Sequence, residues 1–403
     1  MKFYYFKISI ITIMLISLCS CKNKETKSSD QETNYIIVDL NENYKENIFN
    51  IIEELDVNQL SKKGNSNFTF YPIVKTVIVK DNFYFKNKND GIYLVKKDGD
   101  LIKSFSAKGF GPNEYRLLSD FDVNTISEEL FIYDFAKQRF LVYDLFLNYK
   151  RTENIGFNFV SFKFIKNDIA LFTGKHRNNL NNTFLDYDLL VVNKSFDLKA
   201  TSIPFDYKKF ETTRLHLSNP FNSYRNHFIF NDLISDTIYK LSKNSIKPFK
   251  HFKYKNGTFN KNLKLDSHKI LLNEINEKPE KFNELDFFAH LKSANNNNII
   301  YNFSHGGRQS IYSFTNFKNS NVKNYEFPLI YNNSDHKSIF EIQTSTDEKF
   351  ISIVYPHVLK FIKDQYLEKF TKEDNLTRKI DAILENTFPD GNQIILKFKI
   401  KDF

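Results

Sequence analysis

Four aspartates, Asp120, Asp122, Asp134 and Asp144, cluster in one tract and are the side chains here best suited to holding a divalent cation. Acids of this kind could serve a calcium site or a metal that activates water. That chemistry requires the carboxylates to converge. Asp134 and Asp144, however, each stand where an apolar run gives way to a turn, a place Asp takes to bond its own backbone. No oxygen-rich loop of the EF-hand type accompanies them. The structural reading is carried forward, and no metal site is assigned.

Other catalytic chemistry finds less support. The nine histidines include no His-x-x-x-His or His-Glu-x-x-His spacing, so no helical zinc site is encoded. His305-Gly306-Gly307-Arg308 could cradle an anion with its amides and guanidinium, but a Gly-Gly pair equally marks a hairpin. A Gly-x-Ser-x-Gly elbow is missing from the sequence. Both cysteines, Cys19 and Cys21, lie at the N-terminus, which leaves the remaining chain without a thiol for a disulfide, a nucleophile or a metal. No catalytic residue and no cofactor is assigned.

Those two cysteines have an address. Lys2 and Lys7 precede an apolar run from Ile8 to Leu18 that is short for a membrane span and has the form of an export signal. Leu18-Cys19-Ser20-Cys21 then has the Leu-x-small-Cys form of a lipobox, in which the last cysteine is lipidated and becomes the first residue after cleavage. We therefore expect a signal peptide over 1–20 and a lipid on Cys21. The polar stretch 22–34 has no apolar periodicity and is expected to form a flexible tether from 21 to 34. Lacking an acidic run after Cys21, the anchor is expected at the outer membrane, facing the periplasm.

Charge excludes one class of partner. The chain has 57 Lys and Arg against 48 Asp and Glu, and the signal removes only Lys2 and Lys7, so the exported part keeps a formal excess of +7. Its basic residues are interspersed with acids rather than gathered with stacking aromatics, which argues against nucleic acid. The partners expected are a membrane, through the lipid on Cys21, and a protein, peptide or carbohydrate ligand.

Positioning of any site falls to β-structure. From Tyr35 onward, apolar runs of four to eight residues alternate with turn signals such as Asp90-Gly91, Asp98-Gly99, Asn256-Gly257 and Asp390-Gly391. Apolar doublets recur at Ile92-Tyr93, Phe140-Leu141, Leu190-Val191, Ile238-Tyr239 and Ile311-Tyr312, in steps of 48, 50, 48 and 73 residues. A period near 50 with about four strands per unit is the signature of a β-propeller. Tracts at 68–105, 117–155, 159–203, 225–255, 297–327 and 339–400 give six blades. The long last step is attributed to a helical insert over about 261–294, and a second helix is expected over Leu359–Leu384. Tyr35–Leu40 is expected to pair with the sheet containing Gln393–Ile400 and so to close the ring. Most of the 43 Phe and 22 Tyr must then fill the spaces between blades.

One stretch stands apart. Lys108-Gly109-Phe110-Gly111-Pro112-Asn113-Glu114-Tyr115 spends two of eleven glycines within three residues, between two strand-like runs. It reads as a rigid crossover from one blade to the next, with Gly109 and Gly111 admitting positive φ and Pro112 restricting its neighbour. Lys108, Asn113, Glu114, Tyr115 and Arg116 are the candidate ligand-binding residues it would present.

With Ser104–Ile155, Ser235-Asp236-Thr237-Ile238-Tyr239-Lys240 and the closing Gly391–Lys399 run, this corner resembles the six-bladed β-propeller lipoproteins of Bacteroidota. Pro389-Asp390-Gly391-Asn392 departs from the Asp-Asn-Pro usual in that family. The resemblance spans roughly 35–403 and implies an all-β six-bladed propeller at the cell envelope. It implies no settled activity. The expected function is a lipid-anchored binding or scaffolding module; the alternative is a metal-dependent lactonase or lyase with its site on the propeller axis.

Overall fold

The computed structural model describes residues 35–39, 48–63, 68–180, 182–207, 219–225, 227–232, 235–255, 277–278, 286–305, 309–316, 322–326, 329–331, 337–370, 374–387 and 391–401. The leader, Cys21 and the tether lie outside them, as do 261–276 and 279–285 of the expected insert.

Six four-stranded ladders form the blades of a propeller, and each is built from a run of antiparallel neighbours. Blade 1 consists of β3 (Ile73–Val79), β4 (Asn82–Asn87), β5 (Ile92–Lys96) and β6 (Leu101–Phe105), after two strands used elsewhere, β1 (Tyr35–Val38) and β2 (Ile52–Gln59). Blade 2 repeats the order with β7 (Leu118–Asn124), β8 (Glu129–Asp134), β9 (Arg139–Asp144) and β10 (Tyr149–Asn154). The first strand of each blade lines the axis, and the five recurring doublets all fall on third strands, where they pack into the core between blades. Aromatic rings fill those spaces, as with Tyr133 stacked on Phe159 at 3.7 Å between centroids.

Closure differs from the expectation. The strand that completes blade 6 is β2, antiparallel to Ile394–Ile400 with Ile52 opposite Ile400 and Gln59 opposite Ile394. β1 instead lies parallel to His251–Tyr254 as a fifth strand on blade 4. Its alternation explains the choice: Ile36 and Val38 are buried against blades 4 and 5, while Tyr35 and Ile37 stay exposed. The Asn324 side-chain amide also donates to the Asp39 carbonyl at 2.7 Å, tying this strap to blade 5.

The insert is also corrected in part. Asp286–Ala294, read as helical, is the innermost strand of blade 5, pairing with Asn298–His305. Register shifts between Phe287 and His290 and between Leu291 and Ser293 interrupt its alternation. Two bulges in one strand produce apolar spacings of three and four that mimic a helix. The second helical expectation is met by a pair, α1 (Pro356–Phe370) and α2 (Asp374–Glu385), between the second and third strands of blade 6. Val358, Leu359, Ile362, Ile380 and Ile383 bury the pair against Phe49 and Phe340.

Candidate binding face

Antiparallel order places three features at one end of the blades: the starts of the first strands, the turns between second and third strands, and the crossovers from fourth strand to next blade. This approach face carries the Gly109 corner, the mouth of the axial channel and a groove on blade 1.

The corner crosses from β6 to β7 as expected, pinned by Gly109 N donating to Tyr115 O at 3.0 Å and Tyr115 N to Ala107 O at 3.0 Å. Its glycines serve a different purpose from the one expected, since neither Gly109 nor Gly111 is among the positive-φ residues. The Glu114 carboxylate folds back over them and accepts the Gly111 amide at 2.7 Å. A Cβ on Gly109 would stand 2.1 Å from Glu114 Oε2, and one on Gly111 3.0 Å from it. Close approach of the Glu114 carboxylate, not backbone handedness, is what the missing Cβ accommodates here.

Of the five candidate residues, Lys108, Asn113 and Arg116 are exposed, while Glu114 is half-buried and Tyr115 fully buried. The Tyr115 hydroxyl donates to the Asp90 carbonyl at 2.5 Å and accepts from Ala107 N at 3.1 Å, so it joins the corner to blade 1. Burial pushes its phenol above the usual range. Lys108 pairs with Asp90 at 3.0 Å, and Arg116 lies over the exposed Phe110 ring at 4.9 Å. From blade 2, Arg139 donates to Pro112 O at 2.9 Å and Glu114 O at 2.6 Å. Its partner Asp134 accepts from the amides of Arg116 and Leu117, both at 3.2 Å.

The four aspartates do not converge. Asp144 caps its own turn by accepting from Phe146 N and Asn148 N at 2.8 Å each. Asp120 takes Lys75 of blade 1 at 2.6 Å and, from blade 3, Ser161 Oγ at 2.6 Å and Phe162 N at 3.0 Å. Asp122 takes Lys163 at 2.8 Å and Phe164 N at 2.9 Å. These buried acids cross-link three blades, and their lone pairs are spent on protein donors. Among the described residues, no group of three or more His, Cys, Asp or Glu side chains could hold a metal.

The axial channel opens between β3 and the first strands of blades 5 and 6 as a cavity of about 200 Å³ touching Lys75, Asn219, Lys292 and Gln343. A second cavity, of about 110 Å³, continues past Thr76, Lys163, Asn222 and Thr344. Its cations are matched in place: besides Lys75 and Lys163, Lys292 pairs with Glu341 at 2.7 Å. Thr76 donates to Gln343 at 2.7 Å across the blade 1–blade 6 junction. The channel is polar but internally neutralised.

A groove of about 360 Å³ lies on blade 1 beside the corner. Phe68, Tyr71 and Tyr93 supply ring surface, and Asn89, Ser104 and Ser106 supply amide and hydroxyl groups. All ten lining residues are uncharged. Phe70 packs edge-on against Phe68 at 5.1 Å and against Tyr93 at 4.9 Å, and the Tyr93 hydroxyl accepts from Tyr71 N at 3.0 Å. The Asn392 side chain holds the backbone of this segment, accepting from Phe70 N at 3.0 Å and donating to Phe68 O at 2.7 Å. Gly91 forms part of the lining, and a Cβ there would meet Asn87 Nδ2 at 2.7 Å.

Sequence reasoning missed this groove because Asp90-Gly91 also reads as a plain hairpin turn. The available signal was the repeat itself: setting Ile92-Tyr93 beside Phe140-Leu141 puts Gly91 where blade 2 has Arg139.

A family description matches residues 36–399, nearly the whole propeller: Domain of unknown function (DUF4934). The chain belongs to the DUF4934 family. Among curated proteins, none matches the sequence. This DUF4934 propeller is similar to the crystal structure of a Bacteroides fragilis NCTC 9343 protein described as exported, with a TM-score of 0.65 and 15% identity over 89% of this chain and 97% of that one. It also matches a member of the duf4221 family from Bacteroides vulgatus ATCC 8482, with a TM-score of 0.47 and 10% identity over 88% of this chain and 98% of that one. At 15% identity the likeness to the Bacteroides fragilis protein concerns the fold alone, the six-bladed propeller that the strand order describes.

Proposed function

We propose that this protein is a lipid-anchored binding or scaffolding module of the cell envelope that engages its partner through the approach face. The observation that carries the reading is that exposed apolar side chains stand there directly beside concave surface. Tyr71, Val74, Phe110 and Leu117 are all exposed on this face, beside the blade 1 groove and the channel mouth. Large exposed apolar groups rimmed by polar ones mark interaction surfaces. Lys108, Asn113 and Arg116 add polar contacts, and Glu114 and Tyr115 hold the corner that presents them. The metal-dependent lactonase or lyase has no support in this geometry, since the axial acids are consumed by lysines and backbone amides.

Anchoring rests on the lipobox at Cys21, with the tether leading to Tyr35. An exported relative by fold fits an envelope address, and the outer membrane facing the periplasm is the location we infer. Among the described residues no helix is long and apolar enough to cross a membrane. Replacing Cys21 with Ser is expected to release the protein into the soluble fraction of its host; unchanged membrane retention would contradict the anchor.

Partner engagement is tested by photo-crosslinking in cells. A benzophenone amino acid at Phe110 or Leu117 is expected to capture a partner, whereas one at Phe146 or Ile126, exposed at the opposite strand ends, is expected to capture none. Equal capture from both ends would sink the assignment of the face.

A further inference from the structure

We propose that the blade 1 groove is a binding site for an uncharged saccharide. The inference rests on the reading of the protein as a binding module and names the chemistry of one ligand for its approach face.

β4 and β5 are joined at Asn87 and Gly91, while β8 and β9 are joined at Asp134 and Arg139. Ile73 lies opposite Asn87, and Leu118 lies opposite Asp134. Counting back from those pairs, Tyr71 corresponds to Arg116 and Phe70 to Tyr115. The same backbone contact follows in both blades: Lys88 N donates to Pro72 O at 2.8 Å, and Phe135 N to Leu117 O at 3.0 Å. In blade 2 the Arg139 side chain fills the space under the approach segment and bonds its carbonyls. In blade 1 the matching residue is Gly91, over which the Asn87 side chain closes, 2.7 Å from where a Cβ would stand, and the groove lies beside this pair.

What lines that space selects a ligand class. Sugar rings present C–H faces that pack on aromatic surface and hydroxyls that pair with amides and hydroxyls, and a small-ligand pocket combines apolar walls with a few placed polar groups. The groove offers Phe68, Tyr71 and Tyr93 for the first and Asn89, Ser104, Ser106 and Thr69 for the second. Its volume, about 360 Å³, lies in the small-ligand range of ~300–1,000 Å³. Asp90 and Lys108 pair with each other beside the groove, and Lys62 covers one face of the Phe68 ring at 4.8 Å. A carboxylate or ammonium ligand would find no counter-charge among the lining residues and would lose its hydration. The walls are also preset, since Asn392 and the Phe70–Tyr93 contact fix the segment that carries the rings. Little ordering is then left to oppose binding.

The test is a glycan array carrying neutral hexoses, N-acetylhexosamines and their oligomers beside uronate- and sialate-terminated sugars, with an array of unmodified peptides as the competing class. Hits are followed by calorimetry on the soluble Cys21→Ser chain. The expected result is binding of at least one neutral saccharide. Tyr71→Ala and Ser104→Arg, both at exposed positions, are each expected to weaken it at least tenfold without lowering the melting temperature. Gly91→Arg, which installs blade 2's residue, is expected to abolish it. Three results would overturn the site: no neutral saccharide bound, affinity indifferent to Tyr71→Ala and Ser104→Arg, or selection of peptides or acidic sugars instead. If the site fails while Phe110 and Leu117 still crosslink a partner, the binding-module reading stands and only the ligand class falls.

Discussion

Ahead of the third strand, blade 1 has Gly91 and blade 2 has Arg139, and the two junctions diverge from that point. Arg139 reaches the Pro112 and Glu114 carbonyls and stands beside Asp134, so the blade 2 approach is packed shut by a buried, charged network. The blade 1 approach is held from outside, by Asn392 from the last blade and by rings packed edge to face, and a cavity remains beneath it. One backbone plan thus supports a clamp in one blade and a groove in the next. The fold repeats; the chemistry at equivalent positions does not.

The widest gap between the two junctions should appear on removing the plug. Arg139→Ala strips the guanidinium from Asp134, which is fully buried, and from two carbonyls. Breaking a buried pair in this way costs about 3 to 5 kcal/mol, to be read as a lowered urea midpoint. A loss below about 1 kcal/mol would show that the network does not hold the corner. Next come changes within the corner. Tyr115→Phe leaves Ala107 N and Asp90 O without their phenolic partner, and Gly109→Val drives the Glu114 carboxylate from its seat. Each is expected to destabilise by about 1 to 3 kcal/mol.

A smaller difference separates the blades in acid. The Arg151 guanidinium, helped by Lys150, holds Glu129 of blade 2 at about 2, and blade 1 has the neutral Asn82 at the matching place. Because the folded value is depressed, this contribution is complete above the ordinary carboxylate range and is lost as pH falls towards 2. Arg151 and Lys150 are nearly half exposed, which limits the pair to about 1 kcal/mol. Glu129→Gln is therefore expected to lower stability modestly at pH 7, with the deficit vanishing near pH 2. A constant deficit across that window would remove the ion pair as its cause. Smallest of all, Tyr71→Ala should cost under about 0.5 kcal/mol, because its side chain is largely in solvent.

Much of this architecture was legible in the residues. Doublets at a period near 50 marked the third strands, and the corner's position between two runs marked a crossover. Pairings distant in sequence were not legible: β1 and β2 both alternate, and only the packing of Ile36 and Val38 against blades 4 and 5 decides which strand closes the ring. Bulges concealed the strand at Asp286–Ala294 for the same reason, since spacing reports a helix or a bulged strand alike. At the site, glycine content located the corner but gave the wrong cause, because close approach by Glu114 is a tertiary fact. The groove lies beside Gly91 and Asn87, and a glycine standing where another blade has arginine announces itself only against that blade.

The division of labour between the two blades is tested most directly by measuring the affinity of the bound neutral saccharide for Glu114→Gln and Tyr71→Ala side by side. Glu114 belongs to the clamp and Tyr71 to the groove, so Glu114→Gln should bind as the parent does while Tyr71→Ala binds at least tenfold more weakly. Full affinity in Tyr71→Ala together with lost affinity in Glu114→Gln would place the binding site at the corner and contradict the account.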